Sequence, residues 1–504
     1  VNLFAGNPLL HVFPLLASGL ITGYGGQTPL RGDQSPEGPD PDRDLGGPPP
    51  LRTLYHWKLM DFEFATERDR AEMVESGEIN LGQFVYFFQV TLDFAGPPLL
   101  KDCHTIMSVF LLICRQFIPE NTLPLGLEVY KERVFVTFPR WKMGVPCTLA
   151  TAPRAPLSHV QEPRLTPFPD WSWHDQSGDC QGLTSVFRVA ADRCGRLWVL
   201  DSGQVEALTI PRQVCPPQVL AFDLNTDSLI GRWNIPEEFN LQNSLFTNIV
   251  TDIRDDKCDD VHVYFTDVWR FGLLVFRLRD EKFWKFSSHF FYPDPIASDY
   301  NVRGINFQWS DGVFGIALTP ITRTGDKILY FHPMSSNREF QIPASILRNE
   351  TAVNDTALLA KVIQLAGESR GYSGHSSASA IDRNGVMFYA MVTRDSLSCW
   401  DTRKPYRRST QGVIAKDSDK LVFPNDLKVD NEDKQSVWVL SNRLPVFLYG
   451  KLDPKDINFR IMREYVEEAV LGSICDPRHP YIGDFDHNAA KLSAFLKLKL
   501  RNYL

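Results

Sequence analysis

The chain has 504 residues, with 53 Lys and Arg against 61 Asp and Glu, and a formal charge of -8. That balance gives no average field to attract nucleic acid or an anionic membrane surface, so neither is expected as a partner. Hydrophobic residues at 43% and aromatics at 12%, with 34 Phe and 11 Trp, suffice for a large core and exclude disorder of the whole chain.

No run of about eighteen apolar residues occurs, so no transmembrane helix is expected. The longest candidate, residues 9–22, is broken by His11 and Pro14 and ends in the small residues Ala17-Ser18-Gly19. It has the form of the apolar part of a secretory signal, without a basic region before it. Residues 23–50 hold seven Gly and seven Pro. Such a stretch cannot pack, and residues 1–54 read as a disordered leader and linker. Its Arg31-Gly32-Asp33 is read as a chance tripeptide.

From Leu54 onward, short β-branched and aromatic bursts alternate with turn residues, the texture of strands. Six bursts share one form: Val134-Phe135-Val136-Thr137, Trp198-Val199-Leu200-Asp201, Tyr264-Phe265-Thr266-Asp267, Gly315-Ile316-Ala317-Leu318, Phe388-Tyr389-Ala390-Met391 and Trp438-Val439-Leu440-Ser441. Marked at 135, 199, 265, 316, 389 and 439, they lie 64, 66, 51, 73 and 50 residues apart. Each interval holds a four-stranded blade and a long loop. Asp/Asn/Gly-rich turns begin at Asp192, Asp255, Asp382 and Asp430. Six such units predict an all-β fold, a six-bladed β-propeller over residues 55–480. Tyr55-His56-Trp57-Lys58-Leu59 is placed as the closing strand of the last blade, beside Val446-Phe447-Leu448-Tyr449. The sequons at Asn349 and Asn354 read as glycosylation sites on a polar surface loop. Residues 481–504 read as a tail, with a short amphipathic helix expected from Lys491.

The stretch Gly182-Leu183-Thr184-Ser185-Val186-Phe187-Arg188-Val189, followed by Cys194-Gly195-Arg196-Leu197-Trp198-Val199-Leu200-Asp201-Ser202-Gly203, resembles the yellow / major royal jelly protein family of insects. Tyr264-Phe265-Thr266-Asp267, Phe290-Phe291-Tyr292-Pro293-Asp294-Pro295, Ser398-Cys399-Trp400-Asp401 and Phe423-Pro424-Asn425-Asp426-Leu427-Lys428-Val429-Asp430 carry the same likeness, which runs from about Trp57 to Asp476. The resemblance implies a secreted, extracellular six-bladed propeller.

One region departs from the family pattern. Met73-Val74-Glu75-Ser76-Gly77-Glu78 there leads almost directly to Ile118-Pro119-Glu120-Asn121, whereas here residues 79–116 intervene. Their apolar content, including Ile106-Met107-Ser108-Val109-Phe110-Leu111-Leu112-Ile113, would expose a large patch at a loop. The segment is read as a translated intron. The cysteine count fits this reading. Of nine, Cys103 and Cys114 lie in the suspect segment, and Cys147 stands where the family usually has a small hydroxyl residue. Cys180, Cys194, Cys215, Cys258, Cys399 and Cys475 remain as disulfide partners. They allow about fifteen pairings. The expected arrangement joins Cys399 to Cys475 and places two bridges around blades two and three.

No zinc-binding HExxH helix, phosphate-cradling P-loop or Gly-x-Ser-x-Gly elbow is present. Gly371-Tyr372-Ser373-Gly374-His375 departs from the last at its final residue, and metal-type cysteine spacing is missing too. Neither a metal nor another cofactor is expected. A propeller gathers ligands at its channel mouth. The candidates there are Asn248, Asp252, Thr266, Asp267, His375, Ser376, Asn425, Asp426, Ser441 and Asn442, with aromatic walls from Trp141, Phe265, Trp269, Tyr389 and Phe423.

Three functions stay open. The resemblance implies a role in melanin and cuticle pigmentation, including dopachrome (aminochrome) conversion. That isomerisation needs a base for a ring-adjacent C–H proton, and donors for the developing oxyanion. Asp267 or His375 is the candidate base, with Asn425 and Thr266 as donors. A second reading is a non-catalytic binder of biogenic amines or other small aromatic ligands, gripping ring and ammonium together. The third is a structural or nutritional secreted protein. A calcium-dependent lactonase, using Asn248 and Asn425-Asp426 oxygens, is a more distant option.

Overall fold

Asp-rich turns and apolar runs together build six four-stranded antiparallel sheets. The structure, a computed structural model, describes residues 51–78, 117–156, 160–174, 179–207, 210–254 and 257–478. The expected signal-like stretch, the linker with its Arg-Gly-Asp, the 79–116 segment and the C-terminal tail lie outside the described residues.

Blade 1 comprises Gly126–Tyr130, Arg133–Thr137, Leu149–Pro153 and Thr166–Pro167; blade 2, Val186–Ala191, Arg196–Asp201, Gln218–Asp223 and Leu229–Asn234. Blade 3 is Phe246–Ile253, Val261–Asp267, Gly272–Arg277 and Lys282–Ser287; blade 4 is Val313–Leu318, Ile328–Pro333, Phe340–Pro343 and Gln364–Leu365. Blade 5 is Ser376–Ile381, Val386–Met391, Ser396–Asp401 and Gln411–Lys416. Blade 6 takes Pro424–Val429, Ser436–Ser441 and Phe459–Tyr465, and its fourth strand, Arg52–Trp57, comes from the start of the propeller. First strands of successive blades lie side by side, from blade 1 through blade 6 and back to blade 1. The six-bladed propeller is therefore closed, and its blades pack through apolar faces that bury Trp57, Trp198 and Trp438.

Two details differ from the sequence reading. The closing strand pairs with Phe459–Tyr465, in the register Trp57↔Phe459. The expected neighbour, residues 446–449, instead belongs to the helix Leu444–Tyr449, which has Pro445 in its first turn. Arg52, Thr53 and Leu54 consequently belong to the propeller and not to the leader. The burst at Gly315–Leu318 is the innermost strand of blade 4, whereas the other five marks fall on second strands. Both strands are apolar and largely buried, so hydrophobicity alone does not separate them. With Phe331 as the mark, the intervals 265 to 331 and 331 to 389 become 66 and 58 residues.

Turn aspartates lock the hairpins. Asp192 accepts from the backbone N–H of Cys194 at 2.8 Å and from the indole N–H of Trp198 at 2.8 Å. Asp430 does the same for Ser436 N–H at 3.0 Å and Trp438 Nε1 at 2.9 Å. Hydrogen bonds to a charged acceptor contribute about 1.5–3 kcal/mol each, so these turns also orient the indoles in the core.

The disulfides are Cys180–Cys215, Cys194–Cys258 and Cys399–Cys475. The second staples the first turn of blade 2 to that of blade 3, and Cys147 is free and buried. On either side of residues 79–116 the chain comes together: Phe117 N–H donates to Met73 O at 3.0 Å, and the Phe117 ring packs 5.7 Å from Phe62. Among the described residues, no helix is long and apolar enough to cross a membrane.

Candidate functional site at the channel mouth

Antiparallel pairing assigns a face to every residue of the hub. The first residues of the innermost strands pair with the last residues of the second strands, as in Gly126↔Thr137, Phe246↔Asp267, Ser376↔Met391 and Pro424↔Ser441. These ends share one mouth. Asn248, Thr266, Asp267, His375, Ser376, Asn425, Asp426, Ser441 and Asn442 lie at or near it. Asp252 does not. It pairs with His262 at the far end of the same strand, where Lys327 and Arg348 reach it at 2.8 and 2.6 Å.

Most of the candidates turn out to be pins between blades. Asn248 Nδ2 donates to Phe314 O at 2.9 Å, joining blades 3 and 4. Asn425 Nδ2 donates to Leu125 O at 2.6 Å, and Asp426 accepts from Leu127 N–H at 2.8 Å, joining blades 6 and 1. Asn442 Nδ2 donates to Pro124 O at 2.9 Å. The Ser376 carbonyl lies 3.1 Å from His332 Nε2, and Ser441 Oγ donates to Lys420 O at 2.6 Å. Thr266 Oγ1 accepts from Asn248 N–H at 3.1 Å. Phe265 is sealed between blades 2 and 3, and Tyr389 between blades 4 and 5. Asn248 Oδ1 and both Asp426 oxygens accept from backbone N–H groups, which takes them from any calcium cage.

Both candidate bases are engaged. Asp267 accepts from Ser244 Oγ, Leu245 N, Arg270 N and Lys285 Nζ at 2.8, 3.0, 3.1 and 2.6 Å. A carboxylate has about four lone-pair sites, and all are used. His375 is buried, which pushes its pKa down to about 4. Its ring is therefore neutral at pH 7; Nε2 donates to Ala297 O at 2.9 Å, and Tyr300 covers the ring with centroids 4.1 Å apart. Neither side chain is poised to take a proton from a ligand.

At the floor of the mouth stands Arg188, which is fully buried. Its Nη2 donates to Asn425 O at 2.6 Å, its Nη1 lies 3.4 Å from Asp426 Oδ1, and its guanidinium sits 4.8 Å from the Phe314 ring centroid. Gly126 makes room for it. A Cβ there would meet Thr137 Oγ1 at 2.6 Å, Phe187 O at 2.9 Å and Arg188 Cγ at 3.2 Å. One side chain thereby ties blades 1, 2, 4 and 6 across the channel.

The chemistry gathers above it, where Trp269 and Phe423 of the expected aromatic walls meet residues outside the sequence candidates. The segment between blades 3 and 4 folds back as a hairpin, Asp299–Val302 with Ile305–Gln308. It delivers Tyr300, Phe307, Trp309 and Asp311 to the mouth. Tyr300 stacks on Phe307 with centroids 5.1 Å apart, Phe307 stacks on Tyr449 at 5.1 Å, and Trp309 stands edge-on to Phe423 at 6.0 Å. Trp309 Nε1 donates to the Tyr449 hydroxyl at 2.6 Å. Ser335 fixes the segment: its Oγ donates to Trp309 O at 2.8 Å and accepts from Asp311 N–H at 3.2 Å.

Packing among these groups pushes the Asp311 carboxyl up to about 6, and a hydrogen bond from the Trp269 side chain offsets part of that rise. The Asp311 charge also acts on both Tyr300 and Tyr449. A second carboxyl, Asp395, is likewise raised by burial to about 6, with the Phe423 N–H and the charges of Arg303 and Lys416 opposing the shift. A partly exposed carboxyl that titrates near neutrality, walled by aromatic rings, can take a proton or grip a cation. Gln308-Trp309-Ser310-Asp311-Gly312 is legible in the sequence only as an acidic turn ahead of a strand.

The major royal jelly protein family model matches residues 184–475. A dopaminechrome tautomerase of Drosophila melanogaster is 42% identical over 86% of this chain and 85% of its own length. The chain belongs to the yellow / major royal jelly protein family. Other members of the family similar to it are the yellow protein of Drosophila pseudoobscura pseudoobscura, 39% identical over 86% of this chain and 70% of its own, and that of Drosophila melanogaster, 38% identical over 78% and 70%. Outside the family, a virginiamycin B lyase from Staphylococcus aureus is 10% identical, with a TM-score of 0.36 over 69% of this chain and 96% of its own.

Proposed function

We propose that the protein is an aminochrome tautomerase of pigment formation, with Asp311 as general base and the Tyr449 hydroxyl as proton donor. The raised carboxyl of Asp311 inside an aromatic mouth carries this reading. The 42% identity to a dopaminechrome tautomerase supports it.

An aminochrome and its dihydroxyindole product are isomers. C–H protons leave the saturated carbons of the five-membered ring, the electron pairs move through the ring, and the two quinone oxygens become hydroxyls. No oxidant or reductant is consumed. Asp311, ionised above pH 6, accepts a C–H proton while the ring lies against Trp309 and Tyr449. Tyr449 already accepts from Trp309 Nε1, which leaves its own O–H free to donate to a quinone oxygen. Donation into a hydroxyl strengthens that hydroxyl as a donor. A carboxylate at the mouth also favours an amine-bearing ring over one that carries its own carboxylate.

Secretion is part of the same proposal. Three disulfides suit an oxidising compartment. Asn349 and Asn354 are exposed and accessible to glycosylation. The test adds dopaminechrome, and separately dopachrome, to purified protein and follows the loss of visible absorbance. Conversion above the spontaneous rate that Asp311→Asn abolishes supports the enzyme. Saturable amine binding without turnover would leave a binder, and neither result would leave a structural protein.

A further inference from the structure

We infer that the face opposite the mouth carries a second site, which binds a small molecule bearing a phosphate or sulfate group. Between the lower ends of blades 3 and 4 lies a cavity of about 440 Å³, lined by Asp260, His262, Arg277, Arg279, Asp280 and Arg348. This volume is in the range of small-molecule sites. Asp252↔His262 and His262↔Arg277 are register pairs at the ends of their strands remote from Asp267, so this cavity and the Asp311 site belong to opposite faces.

Among the described residues the lining carries three guanidiniums and two carboxylates, on a chain whose formal charge is -8. Two of the arginines are held rigid. Arg348 reaches Asp252 at 2.6 Å and Asp326 at 2.7 Å, and Arg277 donates to Asp280 through Nε at 2.6 Å while lying 5.3 Å from the Trp284 ring centroid. The third, Arg279, is 57% exposed, with Asp260 no nearer than 3.8 Å, beyond hydrogen-bond distance. His262 is 5% exposed, yet its buried Nε2 has no hydrogen-bond partner. His262 and the loosely held Arg279 line the same cavity, so a polar ligand there can satisfy both. Tetrahedral oxyanions match this donor set, because a guanidinium presents paired N–H groups and a neutral imidazole supplies one more. The incoming group takes the place of Asp260 beside Arg279, and the remaining volume accommodates the molecule that carries it.

The test titrates the purified full-length protein with inorganic phosphate, inorganic sulfate, glucose 6-phosphate and N-acetylglucosamine 6-sulfate by calorimetry, with the His262 imidazole followed by NMR. Saturable binding that shifts the His262 signal is expected, weakened about tenfold or more by Arg279→Ala and strengthened by Asp260→Asn. Sugar esters binding more tightly than the free ions identify an esterified ligand, and equal affinity identifies the free oxyanion. Absence of saturable binding for all four overturns the proposal. So does an affinity unchanged in Arg279→Ala or a His262 signal that does not move. Arg279 lies away from the Asp311 mouth, so its substitution leaves any tautomerase rate unchanged.

Discussion

Trp309 Nε1 and the Tyr449 hydroxyl meet at 2.6 Å across 140 residues of chain, tying the segment between blades 3 and 4 to the helix after the second strand of blade 6. Tyr449→Phe removes the hydroxyl that this contact orients. Its kcat for aminochrome is expected to fall about 10²-fold, the effect of losing one oxyanion donor. KM should change little, because the ring proposed to lie against the substrate remains. Single-turnover and steady-state absorbance assays separate these effects.

With Asp311 as the proposed base, its raised pKa predicts the pH dependence. A base with a pKa of about 6 is active when ionised, so kcat/KM should rise as pH increases through 6 and level off above it. Asp311→Asn is expected to lose about 10²–10⁴-fold in rate and to lose this limb of the profile.

The same group affects stability with the opposite sign. Its folded pKa lies above its ordinary value of 3.8, so the folded state binds more protons between the two values. Asp311 therefore destabilises the fold progressively as pH rises through this window, and it has no such effect below it. Asp311→Asn should melt higher than wild type at pH 8 and lose that advantage near pH 4. Thermal melts at the two pH values check the difference.

Asn425 pins the ring together. Asn425→Ala removes the 2.6 Å bond to Leu125 O and leaves that carbonyl buried and unpaired, a cost of about 1–3 kcal/mol. Lower denaturant midpoints, with substrate affinity retained in the folded fraction, are expected. A mutant of full stability that has lost its ligand would return Asn425 to the site.

Excising residues 79–116 should leave the propeller folded. The flanks already meet through Phe117 N–H and Met73 O at 3.0 Å, so the shortened connection spans little distance. An unchanged melting temperature supports the reading of the segment as a translated intron. Peptides from residues 80–115 in a digest of the native protein would overturn it.

Much of this fold is readable before any coordinates are considered. Trp198 and Trp438 sit on second strands a few residues after turn aspartates, and local apolar alternation is enough to mark both. Blade 4 was harder, because its first strand is as apolar as its second and its turn at Thr322 lacks a leading aspartate. The candidate site was less legible. Asn248, Asn425 and Asn442 are legible as candidates at the channel mouth, but a sequence does not reveal that backbone carbonyls of the next blade already occupy them. Asp267 is saturated for the same reason, since all four of its donors come from other strands or loops, and Ser244, Leu245 and Lys285 are distant in the chain.

Composition and local pattern alone determined that this chain is a β protein of six repeated units, because alternation and turn chemistry act between near neighbours. Which polar groups are free for chemistry was decided only by the closed ring. It brings Trp269 and Tyr449 to Asp311, and the loss of water that raises a carboxyl pKa depends on neighbours distant in the chain.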